Sequence, residues 1–302
     1  MRKIFVTGGT GFAGKYLVNN LSLNKNYDVK YTSLSQESEN CYKIDITNKK
    51  QVEQIINEFQ PEIIFHLAAS SSVSESFKDP KNTFKTNTIG TLNILESFSK
   101  TNDKNKFIYI SSGEVYGGGE LLKEDSEIKL KSPYASSKYV SELICQNYSD
   151  NMDITILRPF THTGPYQESK FVISSIAKQI AEIKNFNKPE IKLGNLEIKR
   201  DFMDVRDIVN AYEQAMNCPS GIYNISNGNP ISLNQVIKTF QSISSKNFDV
   251  TIDSSKIRDN DIPILSGDAS KFMNITKWRP EIPFSKTARD MIEYWEQIKK
   301  TT

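Results

Sequence analysis

A short apolar run, Ile4-Phe5-Val6, ends in Thr7-Gly-Gly-Thr-Gly-Phe-Ala-Gly14 and passes at once into a helical pattern carrying Tyr16, Leu17, Val18 and Leu21. Few local arrangements restrict a fold as much. A buried strand, glycines at spacing three and three (Gly8, Gly11, Gly14) and a helix place backbone N–H groups and a helix N-terminus against a phosphate. Glycine is needed where a side chain would hold the ligand off. A glycine triplet alone is a weak signal, shared with ordinary strand–helix turns. Its place between the first strand and the first helix favours pyrophosphate binding.

The rest of the first half repeats the strand–helix unit about six times, which predicts an α/β fold: a Rossmann-type, doubly wound parallel sheet covered on both faces. Val29–Thr32 reads as the second strand. It runs into Thr32-Ser-Leu-Ser35, with neither the acidic residue that binds ribose hydroxyls nor an arginine for an extra phosphate. NAD and NADP both stay open, and the missing carboxylate favours NADP. After a polar loop over 35–40, Cys41–Ile44 is a short strand ending at Asp45, a candidate partner for an adenine amino group and equally a turn or N-cap aspartate. Val52, Ile55, Ile56 and Phe59 mark an amphipathic helix that Pro61 ends. A buried strand over 62–66 leads into Leu67-Ala-Ala69, small enough for a cofactor to lie across the strand ends. His66 reads better as a core histidine than as a catalytic one. Residues 70–79 read as a serine-rich loop. A helix follows to about Lys100, with Ile89, Leu92, Leu95 and Phe98 inward and Asn87 bridging backbone groups and ordering the site.

Strand 107–111 then delivers Ser111-Ser-Gly-Glu-Val-Tyr-Gly117. A helix over 134–148 opens on Ser132-Pro-Tyr-Ala-Ser-Ser-Lys138, with Ser132 as N-cap and Pro133 in the first turn. Tyr134 and Lys138 share one helix face. A nearby ammonium favours phenolate, so Lys138 is expected to lower the tyrosine's pKa and fit it for proton transfer. Spacing alone proves little. With 13 tyrosines and 38 basic residues in 302, roughly one or two such pairs arise by chance. Tyr166 and Lys170 form a second pair, without a serine strand before it, and are taken as a decoy. Beyond Arg158 the order loosens. The patterns predict a strand over 152–157, helices over 173–180, 206–217, 232–243 and 285–299, and strands near 190–193, 201–205 and 221–225.

The length suits a dinucleotide domain over 1–159, to which 201–225 returns, and a smaller nucleotide-sugar lobe over 160–200 and 226–302. A net charge of +2 from 38 basic and 36 acidic residues offers no field for nucleic acid or an anionic membrane. Cys41, Cys145 and Cys218 form neither metal spacing nor a disulfide framework. The N-terminus has no apolar signal region, and no apolar run approaches membrane-spanning length. A cytoplasmic protein is expected.

Thr7-Gly-Gly-Thr-Gly-Phe-Ala-Gly14, His66-Leu-Ala-Ala69, Ser111-Ser-Gly-Glu-Val-Tyr-Gly117 and Tyr134-Ala-Ser-Ser-Lys138 together resemble the extended short-chain dehydrogenase/reductases that act on nucleotide sugars. Gly194-Asn-Leu-Glu197, Arg200-Asp-Phe-Met-Asp-Val-Arg-Asp207 and Gly267-Asp with Trp278-Arg-Pro280 are similar to the branch built on GDP-mannose. The resemblance spans nearly the whole chain. It implies NAD(P)H as cofactor, a GDP-linked sugar as substrate, a homodimer, and reduction of the C4 keto group of a GDP-4-keto-6-deoxy hexose or heptose. Ser112, Tyr134 and Lys138 would be catalytic, with Glu114 the residue a 4,6-dehydratase would use. Cofactor contacts would come from Gly8, Gly11, Phe12, Ala13, Ser33, Asp45, Ile46, Leu67, Ala68, Ala69, Asn87, Tyr134, Lys138 and Pro159. Substrate contacts would come from Ser112, Gly113, Thr161, Phe171, Val172, Leu193, Asn195, Arg200 and Arg258. Arg200 and Arg258 would hold the diphosphate; surface ion pairs with Asp201 and Asp259 are the plainer alternative. The family has asparagine where Thr161 stands, and Arg-Pro-x-Glu-Val where this chain has Arg258-Asp-Asn-Asp-Ile262. A 4-epimerase, a 4-dehydrogenase with retained cofactor and a non-catalytic dinucleotide sensor are the other readings; the intact Ser112–Tyr134–Lys138 set argues against the last.

Overall fold

The computed structural model describes residues 1–101, 105–183, 189–244, 246, 248–256 and 261–301. The first strands and helices follow the apolar periodicity closely: β1 (Arg2–Thr7), α1 (Phe12–Ser22), β2 (Tyr27–Ser33), β3 (Cys41–Lys43), α2 (Lys49–Phe59) and β4 (Ile63–His66). The stretch read as a serine-rich loop folds in part as a short helix, α3 (Val73–Lys78), because the Ser72 hydroxyl caps it by accepting from the Glu75 N–H.

The single helix expected to Lys100 is three pieces: α4 (Pro80–Phe84), a π-helical turn over Lys85–Ile89, and α5 (Gly90–Phe98). The wider turn inserts extra residue into the helix and rotates the apolar stripe that follows. Ile89, expected inward, is therefore exposed and Leu92 only half-buried, while Ile94, Leu95 and Phe98 are fully enclosed. Next come β5 (Lys106–Ile110), a 3-10 turn (Gly113–Tyr116), β6 (Gly119–Leu122), α6 (Pro133–Gln146) and β7 (Asp153–Pro159).

Beyond β7 the described chain contains β8 (His162–Thr163), α7 (Val172–Glu182), β9 (Glu190–Leu193), β10 (Lys199–Arg200), β11 (Met203–Asp204), α8 (Val205–Gln214), β12 (Gly221–Ile225), β13 (Ile231–Ser232), α9 (Leu233–Ile243), β14 (Asp249–Ile252), β15 (Ile264–Gly267), α10 (Ser270–Thr276) and α11 (Phe284–Thr301). The strand expected over 201–205 is split. Arg200 pairs with Ile231 and Leu265, while Met203 and Asp204 pair with His162 and Thr163, so the chain changes sheets between them. β6, β13, β14, β15 and α10 carried no readable pattern, being two to four residues of strand and one short helix.

Seven strands form one parallel sheet in the order β12-β7-β5-β4-β1-β2-β3. Leu17, Leu21, Ile208, Tyr212, Phe272 and Trp278 pack on one face, and Val52, Ile56, Ile94, Phe98 and Cys145 on the other. The strand order reverses direction between β1 and β4, and such a switch point opens a crevice at the carboxyl ends of the strands. A second core, with Ile176, Ile180, Val236, Phe240 and Met291, joins α7, α9 and α11. No helix among the described residues is long and apolar enough to cross a membrane.

Candidate active site

The glycine turn sits at that switch point. Gly8 has φ +71°, and a Cβ there would lie 2.9 Å from the Ala68 backbone at the end of β4. A Cβ on Gly14 would lie 2.1 Å from the Gly8 carbonyl oxygen. The turn is thus closed against its own helix and against the neighbouring strand end, with Phe12 and Ala13 beginning α1 beside it. Ser33 ends β2; its buried hydroxyl accepts from Thr10 Oγ1 (3.0 Å) and from the Ser35 and Gln36 amides, tying the loop after β2 to the glycine turn. Backbone and small side chains gather here in a cradle of the kind that fits a dinucleotide: Gly8, Gly11, Phe12 and Ala13 at the turn, Leu67, Ala68 and Ala69 after β4, and Pro159 ending β7.

Asp45 is exposed, and its carboxylate accepts from the Thr47 amide at 2.9 Å, which places it in a turn; Asn48, not Asp45, caps α2. Ile46 turns its side chain into the core against Gly90, and its carbonyl accepts from Asn93 Nδ2 at 3.0 Å, so ligand contact there falls to the backbone.

His66 is a core residue, 1% exposed. Its Nδ1 lies 2.7 Å from Thr7 Oγ1 and its Nε2 2.9 Å from Thr91 Oγ1. Thr91 donates to the Asn87 carbonyl, so its oxygen accepts from Nε2–H and Nδ1 is left to accept from Thr7. Burial, with a smaller push from the Lys138 charge, lowers the His66 pKa to about 3. The ring is a neutral strut. Asn87 bridges backbone groups as expected. Its amide oxygen accepts from the Ser70 N–H at 2.7 Å, and its Nδ2 donates to the Ser70 carbonyl and to Ser137 Oγ on α6. The π turn leaves the Asn87 carbonyl to accept from Thr91 and Ser141, so the turn and α6 are stitched together.

Ser132 caps α6 through the Ala135 amide, and Pro133 takes the first turn. Tyr134 and Lys138 are then both buried. Ser112 begins the 3-10 turn, its hydroxyl 3.2 Å from the Glu114 amide and close enough to the Tyr134 phenol to lower its pKa. Glu114 and the buried Gly113, which packs on the Phe160 ring, follow on that turn. The expected lowering of Tyr134 by Lys138 is not what the site shows. Burial pushes the phenol up to about 12, the nearby Ser112 hydroxyl offsets part of this, and the Glu114 charge adds to it. Burial likewise lowers Lys138 to about 7, and its ammonium sits 4.4 Å from the Tyr109 ring centroid. For both groups desolvation outweighs any mutual attraction. The second pair separates: Tyr166 packs on Tyr294 (4.9 Å between centroids), whereas Lys170 pairs with Glu168 and Glu75.

The expected substrate residues fall in two groups. Thr161, on the chain leaving β7, bonds through its carbonyl to the Met203 amide. Phe171 and Val172 open α7, both half-buried. Arg200 donates to the Ile262 carbonyl at 2.7 Å and the Lys199 carbonyl at 2.9 Å, while the Asp201 carboxylate is occupied by the Asn227 and Gly228 amides. Asn195 Oδ1 accepts from the Glu197 amide. The Leu193 side chain is buried in the core of α7, α9 and α11, so any ligand contact there falls to its backbone. Arg258 lies outside the described residues.

One cluster went unread in the sequence. Arg158 and Glu142 form a buried ion pair behind Ser111, linked onward to Tyr116 and Asn224. The available signal was Glu142 at four residues from Lys138 and eight from Tyr134, an acid on the inward stripe of α6.

A family model described as GDP-mannose 4,6 dehydratase matches residues 5–291. The chain belongs to this family. It is thereby an extended short-chain dehydrogenase/reductase, among enzymes that use a nicotinamide cofactor on nucleotide sugars. It is 29% identical to GDP-6-deoxy-D-mannose reductase of Pseudomonas aeruginosa, over 98% of this chain and 97% of that one. It is 30% identical to GDP-6-deoxy-D-talose 4-dehydrogenase of Aggregatibacter actinomycetemcomitans, over 90% of each. The solved structure of RMD from Pseudomonas aeruginosa complexed with NADPH superposes with a TM-score of 0.88 at 28% identity, covering 99% of this chain and all of that one.

Proposed function

We propose that the protein reduces the C4 keto group of a GDP-4-keto-6-deoxy sugar, hexose or heptose. The bound nicotinamide supplies the hydride. Tyr134 donates the proton to the oxygen that was the carbonyl, while Ser112 holds that oxygen in line. The observation that carries this reading is the capped start of α6, which buries Tyr134 and Lys138 together, with burial keeping the phenol protonated at neutral pH. That protonated state is the one reduction needs. Lys138, while charged, stabilises the phenolate that donation leaves. Similarity to the reductase supports the same direction. Arg200 takes the diphosphate, Thr161 offers a hydroxyl to the sugar, and residues 160–200 and 226–302 form most of the sugar-nucleotide lobe. NADPH is the favoured cofactor, given a β2 end without an acidic residue and a solved relative that holds NADPH. We place the enzyme in the cytoplasm, as a homodimer serving cell-surface polysaccharide synthesis.

Glu114 supports a second reading. It follows Ser112 on the 3-10 turn, near enough for its charge to raise Tyr134. A 4,6-dehydratase would use such a carboxylate to take the C5 proton.

The test mixes the protein with a GDP-4-keto-6-deoxy sugar and NADPH or NADH and follows nicotinamide absorbance. Stoichiometric oxidation is expected, with Tyr134→Phe silent yet still binding cofactor. No oxidation with hexose or heptose sinks the reductase reading. Water loss from the unmodified GDP-sugar, without net cofactor use, moves the assignment to dehydration.

A further inference from the structure

Glu142 and Arg158 form a side-chain pair with no solvent contact to speak of: 0% and 3% exposed, with Nη2 2.6 Å from Oε2. Arg158 Nε adds contacts of 3.0 and 3.2 Å to the two carboxylate oxygens. Removing two charges from water is costly, and apolar replacements of similar volume often serve stability as well or better. Stability is therefore a poor explanation for the pair, and its connections suggest another. Glu142 Oε1 also accepts from the Ser111 hydroxyl, at the end of β5 and one residue before Ser112. Arg158 Nη1 donates to the Tyr116 hydroxyl at 2.8 Å, at the far end of the 3-10 turn that carries Glu114, and to the Glu124 carbonyl at 3.2 Å. Tyr116 in turn donates to Asn224 Oδ1 at 2.8 Å on β12. Glu142 stands on the α6 stripe that carries Tyr134 and Lys138.

We infer that the Glu142–Arg158 pair is a positioning device: it locks the β5 end and the 3-10 turn to α6, and so sets Ser112 against Tyr134. Both ends of the Ser112-to-Tyr116 segment are held by this one pair, through Ser111 before it and Tyr116 at its end. Two residues earlier, Tyr109 adds a second tie from β5 to α6, its hydroxyl donating to the Lys138 carbonyl at 3.4 Å and its ring facing the Lys138 ammonium. A carboxylate accepting from a hydroxyl and a guanidinium at once fixes direction as well as distance. The inference rests on the reading of Tyr134 as proton donor, and concerns geometry that can be measured without turnover.

Three proteins decide it: wild type, Ser111→Ala, and the double variant Glu142→Met/Arg158→Leu. Ser111→Ala cuts only the link to the strand end and carries little folding risk; the double variant removes both charges together. In the ketosugar assay kcat falls about 10-fold in Ser111→Ala and about 100-fold in the double variant, as expected for misplaced reacting groups. KM changes less than kcat, because the groups placed at the diphosphate and the nucleotide are untouched. In parallel, fluorotyrosine is placed at position 134 and its 19F signal titrated in all three. Displacement of the Ser112 hydroxyl from the phenol moves the titration to higher pH in both variants. Unchanged kcat with an unchanged titration in a folded double variant would overturn the inference, leaving the pair as core filling. Should the double variant fail to fold, Ser111→Ala decides by the same two readouts. Should wild type show no turnover, the proposed function fails separately, and the 19F titration alone sustains or overturns the positioning role.

Discussion

His66 shows how a residue that looks chemical becomes structural. It ends a strand beside the cofactor cradle, yet both ring nitrogens are committed to threonine hydroxyls and burial holds it neutral. Its folded pKa of about 3 lies below the ordinary 6.5, so the unfolded chain binds more protons between those values. Stability contributed by the neutral ring is full above pH 6.5 and is lost as pH falls toward 3, at up to about 1.4 kcal/mol per pH unit. His66→Gln should be less stable than wild type at pH 7.5 and show a flatter decline between pH 6.5 and 4.5. Urea unfolding across that range measures it; parallel slopes for the two proteins would mean the ring is not the titrating group. The same burial acts on Tyr134 and Lys138, where the sequence spacing announced an attraction and the enclosed site shows two desolvated groups instead.

At the scale of elements, the helix preceding β5 is the instructive case. Continuous helical periodicity from 80 to 100 could not reveal that Lys85–Ile89 winds as a π turn. The turn matters because it frees the Asn87 carbonyl for Thr91 and Ser141 and aims the Asn87 side chain at Ser70 and Ser137. Ser137 lies on α6 and donates to the Tyr134 carbonyl at 2.8 Å. Asn87→Ala strands the Ser70 amide and loosens this link, so it should lower stability by about 2 kcal/mol. Thermal melts give the stability and cofactor titration the affinity; a melt unchanged from wild type would show that the bridge carries no weight. The opposite lesson comes from α6. Its cap, proline and Tyr–Lys spacing were all readable, because capping and helix periodicity are local properties.

For the whole molecule, the switch point between β1 and β4 places the glycine turn beside the ends of β2 and β4, and α7, α9 and α11 supply a separate core. A ligand bound only by the folded protein raises stability by about 2.7 kcal/mol at one hundred times its Kd. NADPH should therefore raise the melting temperature more than NADH at equal concentration; the reverse order would remove the NADP preference. The sequence by itself determined the α/β class, the glycine turn between β1 and α1, and the cap, proline and Tyr134–Lys138 spacing that open α6. Each is encoded within one strand–turn–helix unit, where local propensity and periodicity suffice. Only the tertiary structure decided the fate of Leu193 and Ile46, whose side chains turn into cores, the split of the strand expected over 201–205, and the Glu142–Arg158 pair joining α6 to β7. Those depend on which elements meet. A buried acid and a buried base 16 residues apart declare themselves only when the sheet brings β7 beneath the helix.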